Sequence, residues 1–187
     1  MKKMKLVMVG NGMAGVRTLE ELLKIQPELY DIAVFGAEPH PNYNRILLSP
    51  VLAGEQTLDE IVLNSWEWYE QNRIRLHAGK KVVQIDRVRR IVRAEDGTEE
   101  PYDRLLLCTG SNPFILPVPG KDLQGVIAYR DIADTNAMIE AAAKYRKAVV
   151  IGGGLLGLEA ANGLMKRGMD TTVVHVMPWL MERQLDD

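Results

Sequence analysis

The pattern G-x-G-x-x-G occurs twice in this chain, each time between a short apolar run and a helix-like stretch. The first copy is Gly10-Asn11-Gly12-Met13-Ala14-Gly15 and the second is Gly152-Gly153-Gly154-Leu155-Leu156-Gly157. Each glycine answers a backbone requirement. The first permits a sharp exit from a strand, the second lets main chain approach a pyrophosphate with no Cβ between, and the third lets the helix lie close on the strand. The helix that follows presents unpaired N–H groups and the positive end of its dipole to an anion. Two such turns constrain the chain to two parallel βαβ units and suit it to hold two dinucleotides side by side. The usual reason for that arrangement is to pass a hydride from one to the other.

The flanking sequence agrees. Residues 5–9 read as a buried strand, Val16, Leu19, Leu22 and Leu23 share a helical face, Pro27 closes that helix, and residues 31–36 form a second strand. Glu38 lies 23 residues after Gly15, where a carboxylate can accept hydrogen bonds from a ribose diol. Residues 148–151, 158–167 and 171–174 repeat the unit as strand, helix and strand, with Gly168 in the left-handed position after the helix. His175 stands where the second acid is expected; an imidazole can bond a ribose but does not repel a 2′-phosphate. No arginine is immediately beside it, so NADH is preferred to NADPH.

Between the repeats the pattern changes. Pro39 and Pro41 enforce a loop, and residues 65–72 read as a short helix with Ser65 as N-cap and Trp66, Trp68 and Tyr69 as packing residues. Residues 80–107 read as a small meander with an Asp96-Gly97 turn and a return strand at 104–107. Residues 131–145 form an alanine-rich helix. The fold class is α/β: a Rossmann-like three-layer fold with a β-meander insert, then the start of a second Rossmann fold. The expected organisation is a first domain over 1–112, a connection over 113–146 and half of a second domain over 147–187.

Composition excludes several other classes. The 187 residues are 47% hydrophobic and 26% charged with a formal net charge of −2, which gives no argument for nucleic acid or an anionic membrane. No apolar run approaches the roughly 20 residues that span a bilayer. The basic start at Met1–Lys5 leads into too short an apolar stretch for a signal peptide. Cys108 is the single cysteine, so an intrachain disulfide, a redox dithiol and a four-cysteine iron–sulfur site are all excluded within these residues. That usage fits a reducing, cytoplasmic setting. His40 and His77 have no partners at metal-ligand spacing, and no metal site is expected. Cys108, between Leu107 and Thr109, reads as a buried small apolar residue.

Four further stretches carry a resemblance. Tyr43-Asn44-Arg45-Ile46-Leu47-Leu48-Ser49, Leu105-Leu106-Leu107-Cys108-Thr109-Gly110-Ser111, Tyr129-Arg130-Asp131 and Gly157-Leu158-Glu159 resemble segments of the two-dinucleotide FAD/NAD-linked pyridine nucleotide oxidoreductases. The resemblance implies FAD in the first fold. Gly10, Gly12, Met13, Ala14 and Gly15 would lie along its pyrophosphate and Glu38 at its adenosine ribose. Arg45 would pair with the phosphate or ribose region, Val82 would touch adenine through its backbone, and Thr109, Gly110 and Arg130 would line the site. In the second fold Gly152, Gly154, Leu156, Gly157 and His175 would hold NADH or NADPH. Glu159 is implied as a catalytic acid near nicotinamide and flavin, where similar enzymes often supply a lysine. Pro50 occupies the lysine position here, so Glu159 is expected to lack that partner. Peroxidase and oxidase members place a redox cysteine at that position, and this chain has none.

With Val51-Leu52-Ala53-Gly54-Glu55, the Tyr43–Ser49 segment is most similar to the start of the large subunit of NAD(P)H nitrite reductases. The function implied is hydride transfer from NAD(P)H to FAD, then electron transfer to iron–sulfur and sirohaem centres outside these residues, reducing nitrite to ammonium. The alternatives are a standalone rubredoxin- or ferredoxin-type reductase with a separate iron–sulfur protein as acceptor, and a non-catalytic dinucleotide-sensing module. Neither nucleic acid nor membrane is an expected partner, and a homodimer is allowed. The chain reads as an N-terminal fragment, expected alone to bind FAD weakly and to lack efficient NADH turnover.

Overall fold

The computed structural model describes residues 3–182, 184 and 185. Elements are numbered in chain order. The first stretch runs β1 (Met4–Val9), α1 (Met13–Ile25), β2 (Tyr30–Phe35), β3 (Asn42–Tyr43), α2 (Leu48–Ala53), β4 (Val62–Asn64), α3 (Trp66–Gln71) and β5 (Arg75–His77). There follow β6 (Val82–Asp86), β7 (Ile91–Ala94), β8 (Glu99–Pro101), β9 (Arg104–Leu107), α4 (Ile132–Lys144), β10 (Lys147–Ile151), α5 (Leu155–Lys166) and β11 (Asp170–Val174). They form two compact units. One comprises residues 1–44 and 62–111; the other comprises 45–61 and 112–187. The segment 45–61, which sequence reading leaves inside the first domain, thus packs with the second half of the chain.

The first unit is built on a parallel sheet of order β5-β2-β1-β9. Leu6, Val7, Met8 and Val9 of β1 and Ile32, Ala33, Val34 and Phe35 of β2 are all buried, as a parallel sheet covered on both faces requires. On one face α1 lays Val16 and Leu19 against Met8 and Val34, with Tyr69 of α3 and Ile74 completing the layer. Each such fully buried side chain is worth about 1.5–3 kcal/mol of burial. The other face is covered by the antiparallel meander β6-β7-β8, whose Val92 and Ala94 pack on Val7, Val9 and Phe35. The Asp96-Gly97 turn joins β7 to β8, with Gly97 at φ +89°. The meander, the return strand β9 and the three layers are those expected from the sequence.

Several local expectations need correction. The strand expected from Arg90 begins at Ile91, because Arg90 is a turn residue at φ +55°. Ser65 stands at the N-cap of α3 without a capping side-chain bond, and Trp66 is 46% exposed, so Tyr69 and Trp68 do the packing. The second glycine turn opens its helix at Leu155, three residues before the expected start. Sequence reading finds neither β5 nor α2, which are too short to show a period.

The second unit has a two-stranded parallel sheet, β10-β11, with α4, α5 and α2 packed on it. Asp131 caps α4 by accepting the Asp134 N–H at 2.9 Å. Gly168, at φ +85°, follows the C-cap Arg167 of α5 as expected. The core gathers Leu52, Met138, Ala160, Leu164 and Met169. Gly163 makes room for α2: a Cβ there would lie 2.7 Å from Leu52 Cγ. Arg167 fixes the end of α2 by donating from Nε to the Leu52 carbonyl at 2.5 Å and from Nη2 to the Val51 carbonyl at 3.0 Å.

Candidate functional site

In the first unit the registers Val9 to Phe35, Phe35 to His77 and Val9 to Leu107 align the carboxyl ends of all four parallel strands. The loops after them therefore gather at one edge: Gly10–Gly12, Gly36–Glu38, the turn at Gly79 and Cys108–Gly110. Strand order reverses beside β1, which has β2 on one flank and β9 on the other. Ligands of open α/β sheets bind at that kind of switch point.

The glycines of this turn do the work expected of them. Gly10 has φ +108°, and a Cβ on it would lie 2.0 Å from the Cys108 carbonyl oxygen. Its N–H donates to the Phe35 carbonyl at 2.8 Å. Gly15 brings α1 onto the sheet, with its hypothetical Cβ 2.9 Å from Met8 Sδ and 3.0 Å from Cys108 Cβ. Gly12 is the N-cap of α1 and has open space where its Cβ would be. No side chain caps this helix and no acid stands in its first turn, so the N–H groups beginning at Met13 and Ala14 face an anion site. A pyrophosphate fits that cradle.

The acid is held in place. Tyr43 Oη donates to Glu38 Oε2 at 2.6 Å, and Tyr43 is itself buried. The Gly79 N–H bonds the Glu38 carbonyl at 2.9 Å, tying the acid's loop to the next one. Asn11, the variable residue of the turn, is also fixed: its side-chain oxygen accepts from Tyr69 Oη at 2.8 Å, and its carbonyl accepts from Asn42 at 3.0 Å. Burial, opposed by the Asn11 bond, pushes the Tyr69 pKa up to about 12, so this phenol remains a donor. Val82 begins β6 at a register shift opposite Ala94, and Thr109 and exposed Gly110 (φ +71°) follow β9 on the ligand edge. Cys108 is half-buried against the sheet, and burial raises its thiol pKa, the direction of an inert cysteine.

The second unit repeats the turn with different detail. Gly152, at φ +122°, donates to the Val174 carbonyl at 2.9 Å, the counterpart of the Gly10–Phe35 bond. Gly154 is an uncapped N-cap with open space at its Cβ, as Gly12 is. Leu156 lies in the exposed first turn of α5, and Gly157 would place a Cβ 2.0 Å from the Gly152 carbonyl oxygen.

Counting from the matched strand ends Phe35 and Val174, Glu38 corresponds to Met177, and His175 corresponds to Gly36. Its Nδ1 accepts the Gly153 N–H at 3.0 Å, which puts the ring proton on Nε2, 3.1 Å from Glu182 Oε2. One ring nitrogen thus serves the glycine turn and the other meets Glu182. A Cβ on Gly153 would meet His175 Cγ at 2.8 Å, so a glycine is needed where the first turn has Asn11.

Three more expected residues lie in this unit. Arg45 Nη1 donates to the Arg130 carbonyl at 2.6 Å, while the Arg130 N–H donates to Asp134 at 2.7 Å. Where Pro50 replaces the lysine of similar enzymes, Glu159 has a hydroxyl partner instead. Ser49, one residue earlier, donates its hydroxyl to Glu159 Oε2 at 2.6 Å. Sequence reading missed Ser49, Tyr43 and Glu182 as contributors, since no spacing rule links them to the glycine turns. Among the described residues no helix is long and apolar enough to cross a membrane, and no cluster of histidine, cysteine or acid side chains could hold a metal.

Comparison with known proteins agrees with this geometry. The family model for pyridine nucleotide-disulphide oxidoreductases matches residues 4–187. A nitrite reductase (NAD(P)H) of Bacillus subtilis strain 168 is 56% identical over 186 residues, covering 100% of this chain and 23% of that protein. An assimilatory nitrate reductase electron transfer subunit of the same organism is 51% identical over 186 residues, covering 100% of this chain and 24% of that protein. The crystal structure of NADH:rubredoxin oxidoreductase from Clostridium acetobutylicum superposes with a TM-score of 0.87 at 26% identity, covering 99% of this chain and 48% of that one. The chain spans about a quarter of the length of the two Bacillus relatives. With two dinucleotide turns on parallel sheets and a family match across nearly its whole length, the chain belongs to the pyridine nucleotide-disulphide oxidoreductase family.

Proposed function

We propose that this chain is the dinucleotide-handling part of a NAD(P)H nitrite reductase large subunit, acting in the cytoplasm. The observation that carries the reading is the pair of glycine turns, each opening an uncapped helix with Cβ-free space at its N-cap. FAD is assigned to the first unit and a nicotinamide dinucleotide to the second. In the first unit the α1 N-terminus receives the pyrophosphate, Glu38, steadied by Tyr43, takes the ribose diol, and Thr109 and Gly110 line the edge beside it. Arg45 and Arg130, both in the second unit, are linked by the bond from the Arg45 guanidinium to the Arg130 carbonyl. In the second unit the α5 N-terminus takes the nicotinamide nucleotide's pyrophosphate and Glu159 orients its reactive end. FAD, when bound, accepts a hydride and releases electrons singly to an acceptor. The similarity to the Bacillus nitrite reductase supports iron–sulfur and sirohaem centres as acceptors elsewhere in the protein, with ammonium as the six-electron product.

A second reading is an electron transfer subunit that serves a separate nitrate reductase, supported by the 51% identity to such a protein. One anaerobic experiment on the intact protein separates the readings. Bleaching of bound flavin by NADH, followed by nitrite-dependent reoxidation with ammonium formed, is the expected result. Bleaching without reoxidation by nitrite would favour the electron transfer subunit or a standalone reductase. No bleaching would favour a dinucleotide sensor. Parallel titrations with NADH and NADPH read the donor preference, for which NADH is our expectation.

A further inference from the structure

The Glu159 carboxylate sits at the end of an ordered chain of hydroxyls. Ser49 Oγ is 2.6 Å from Glu159 Oε2, and Tyr129 Oη is 3.3 Å from Ser49 Oγ. A carboxylate only accepts, so the single Ser49 proton is committed to Glu159. The Ser49 oxygen then receives its bond from Tyr129. Burial raises the Tyr129 pKa, and the charge of Glu159 acts in the same direction, so the phenol keeps the proton it donates. The polarity Tyr129 to Ser49 to Glu159 is therefore fixed.

The three residues come from separate elements: Ser49 from α2, Tyr129 from the lead-in to α4, and Glu159 from α5. Their register is not left to loop motion. Leu52 of α2 fills the notch at Gly163 on α5, and Arg167 of α5 holds the α2 carbonyls of Val51 and Leu52. An exposed glutamate samples many rotamers, whereas this one is tied to a packed helix pair two residues beyond Gly157. Preorganising a side chain in this way acts on the reacting geometry more than on affinity.

We propose that Ser49 and Tyr129 are positioning residues that hold the Glu159 carboxylate in one orientation for hydride transfer from the nicotinamide dinucleotide. This rests on the assignment of the second unit to that nucleotide. Ser49 thereby supplies the partner that Pro50 cannot.

The test uses the intact FAD-loaded protein, with stopped-flow flavin reduction by NADH. Ser49→Ala is expected to lower the limiting reduction rate about 10-fold, as loss of a charge-assisted bond at a reacting geometry should. FAD content and the NADH dissociation constant should stay within about twofold, since no nucleotide contact is removed. Ser49→Thr, which keeps the hydroxyl, should restore the rate, and Tyr129→Phe should cost about threefold because its bond is longer. Ser49→Ala should add nothing in a Glu159→Gln background. A readout without turnover is the crystal structure of Ser49→Ala free of nicotinamide nucleotide, where Glu159 should occupy more than one rotamer. An unchanged rate in Ser49→Ala, or equal slowing with and without Glu159, would overturn the positioning role. If Glu159→Gln itself leaves reduction by NADH unaltered, the assignment of α5 to the nicotinamide site fails instead.

Discussion

The two glycine turns share a formula and differ in what makes each glycine necessary. In the first, Gly10 is crowded from outside: the Cys108 carbonyl of β9 lies 2.0 Å from where a Cβ would be. In the second, Gly152 has the same left-handed backbone with nothing near it, because β10 has β11 on one flank and no described strand on the other. The crowding there is internal to the turn, where Gly157 faces the Gly152 carbonyl at 2.0 Å. A second exchange runs between the variable positions. The first turn has a side chain at Asn11 and a glycine at Gly36, 3.0 Å apart at the hypothetical Cβ. The second has a glycine at Gly153 and a side chain at His175. One patch of space is filled from opposite strands, so an identical sequence pattern conceals two packing solutions.

The largest effect should come from Gly10→Ala. Backbone cannot move away as a side chain can, and we expect destabilisation above about 4 kcal/mol or failure of the first sheet to form. Gly152→Ala has only its strained φ to contend with and should cost about 1–3 kcal/mol. Hydrogen exchange of the β1 and β10 amides measures both, and equal costs would break the comparison. Next comes Gly157→Ala against Gly15→Ala. The former meets a carbonyl at 2.0 Å and should exceed about 3 kcal/mol, while the latter meets the end of Met8, Cys108 Cβ and the Gly10 carbonyl only at 2.9–3.1 Å and should cost about 1–3 kcal/mol. Comparable losses would show that the internal crowding of the second turn is relieved by movement.

His175→Ala removes the acceptor of the Gly153 N–H and the partner of Glu182. One hydrogen bond of this kind is worth about 0.5–1.5 kcal/mol, so nicotinamide nucleotide affinity should fall roughly 2–10-fold with FAD content unaltered. Fluorescence titration checks this, and a loss of FAD instead would place His175 in the wrong site. Tyr43→Phe is the mirror test on the first unit. It should weaken FAD binding about threefold by releasing Glu38, leaving NADH titrations unchanged.

What was legible in the sequence is what local backbone chemistry dictates. The glycines, the apolar strands on either side and the carboxylate of Glu38 each follow from a requirement met within a few dozen residues. The Gly168 terminator was legible for the same reason. The roles that escaped depend on register or on distant partners. Counted from the matched bonds at Phe35 and Val174, His175 stands level with Gly36 and Met177 with Glu38, an offset too small to read from strand ends in the sequence. Ser49 was invisible as the partner of Glu159 because 110 residues separate them and only the packing of α2 on α5 joins them. The strand β5 spans three residues, too few for alternation to register.

The anchoring of α2 by Arg167 has a consequence for synthesis. Leu52 leaves the ribosome 115 residues before the arginine that binds its carbonyl. At about 5–20 residues per second, α2 waits roughly 6–23 s for that partner. During this interval Leu48, Val51 and Leu52, all buried in the finished protein, have no α5 to cover them. Synthesis thus opens a window in which a short apolar helix is available to chaperones or to other nascent chains, and the window closes when α5 emerges.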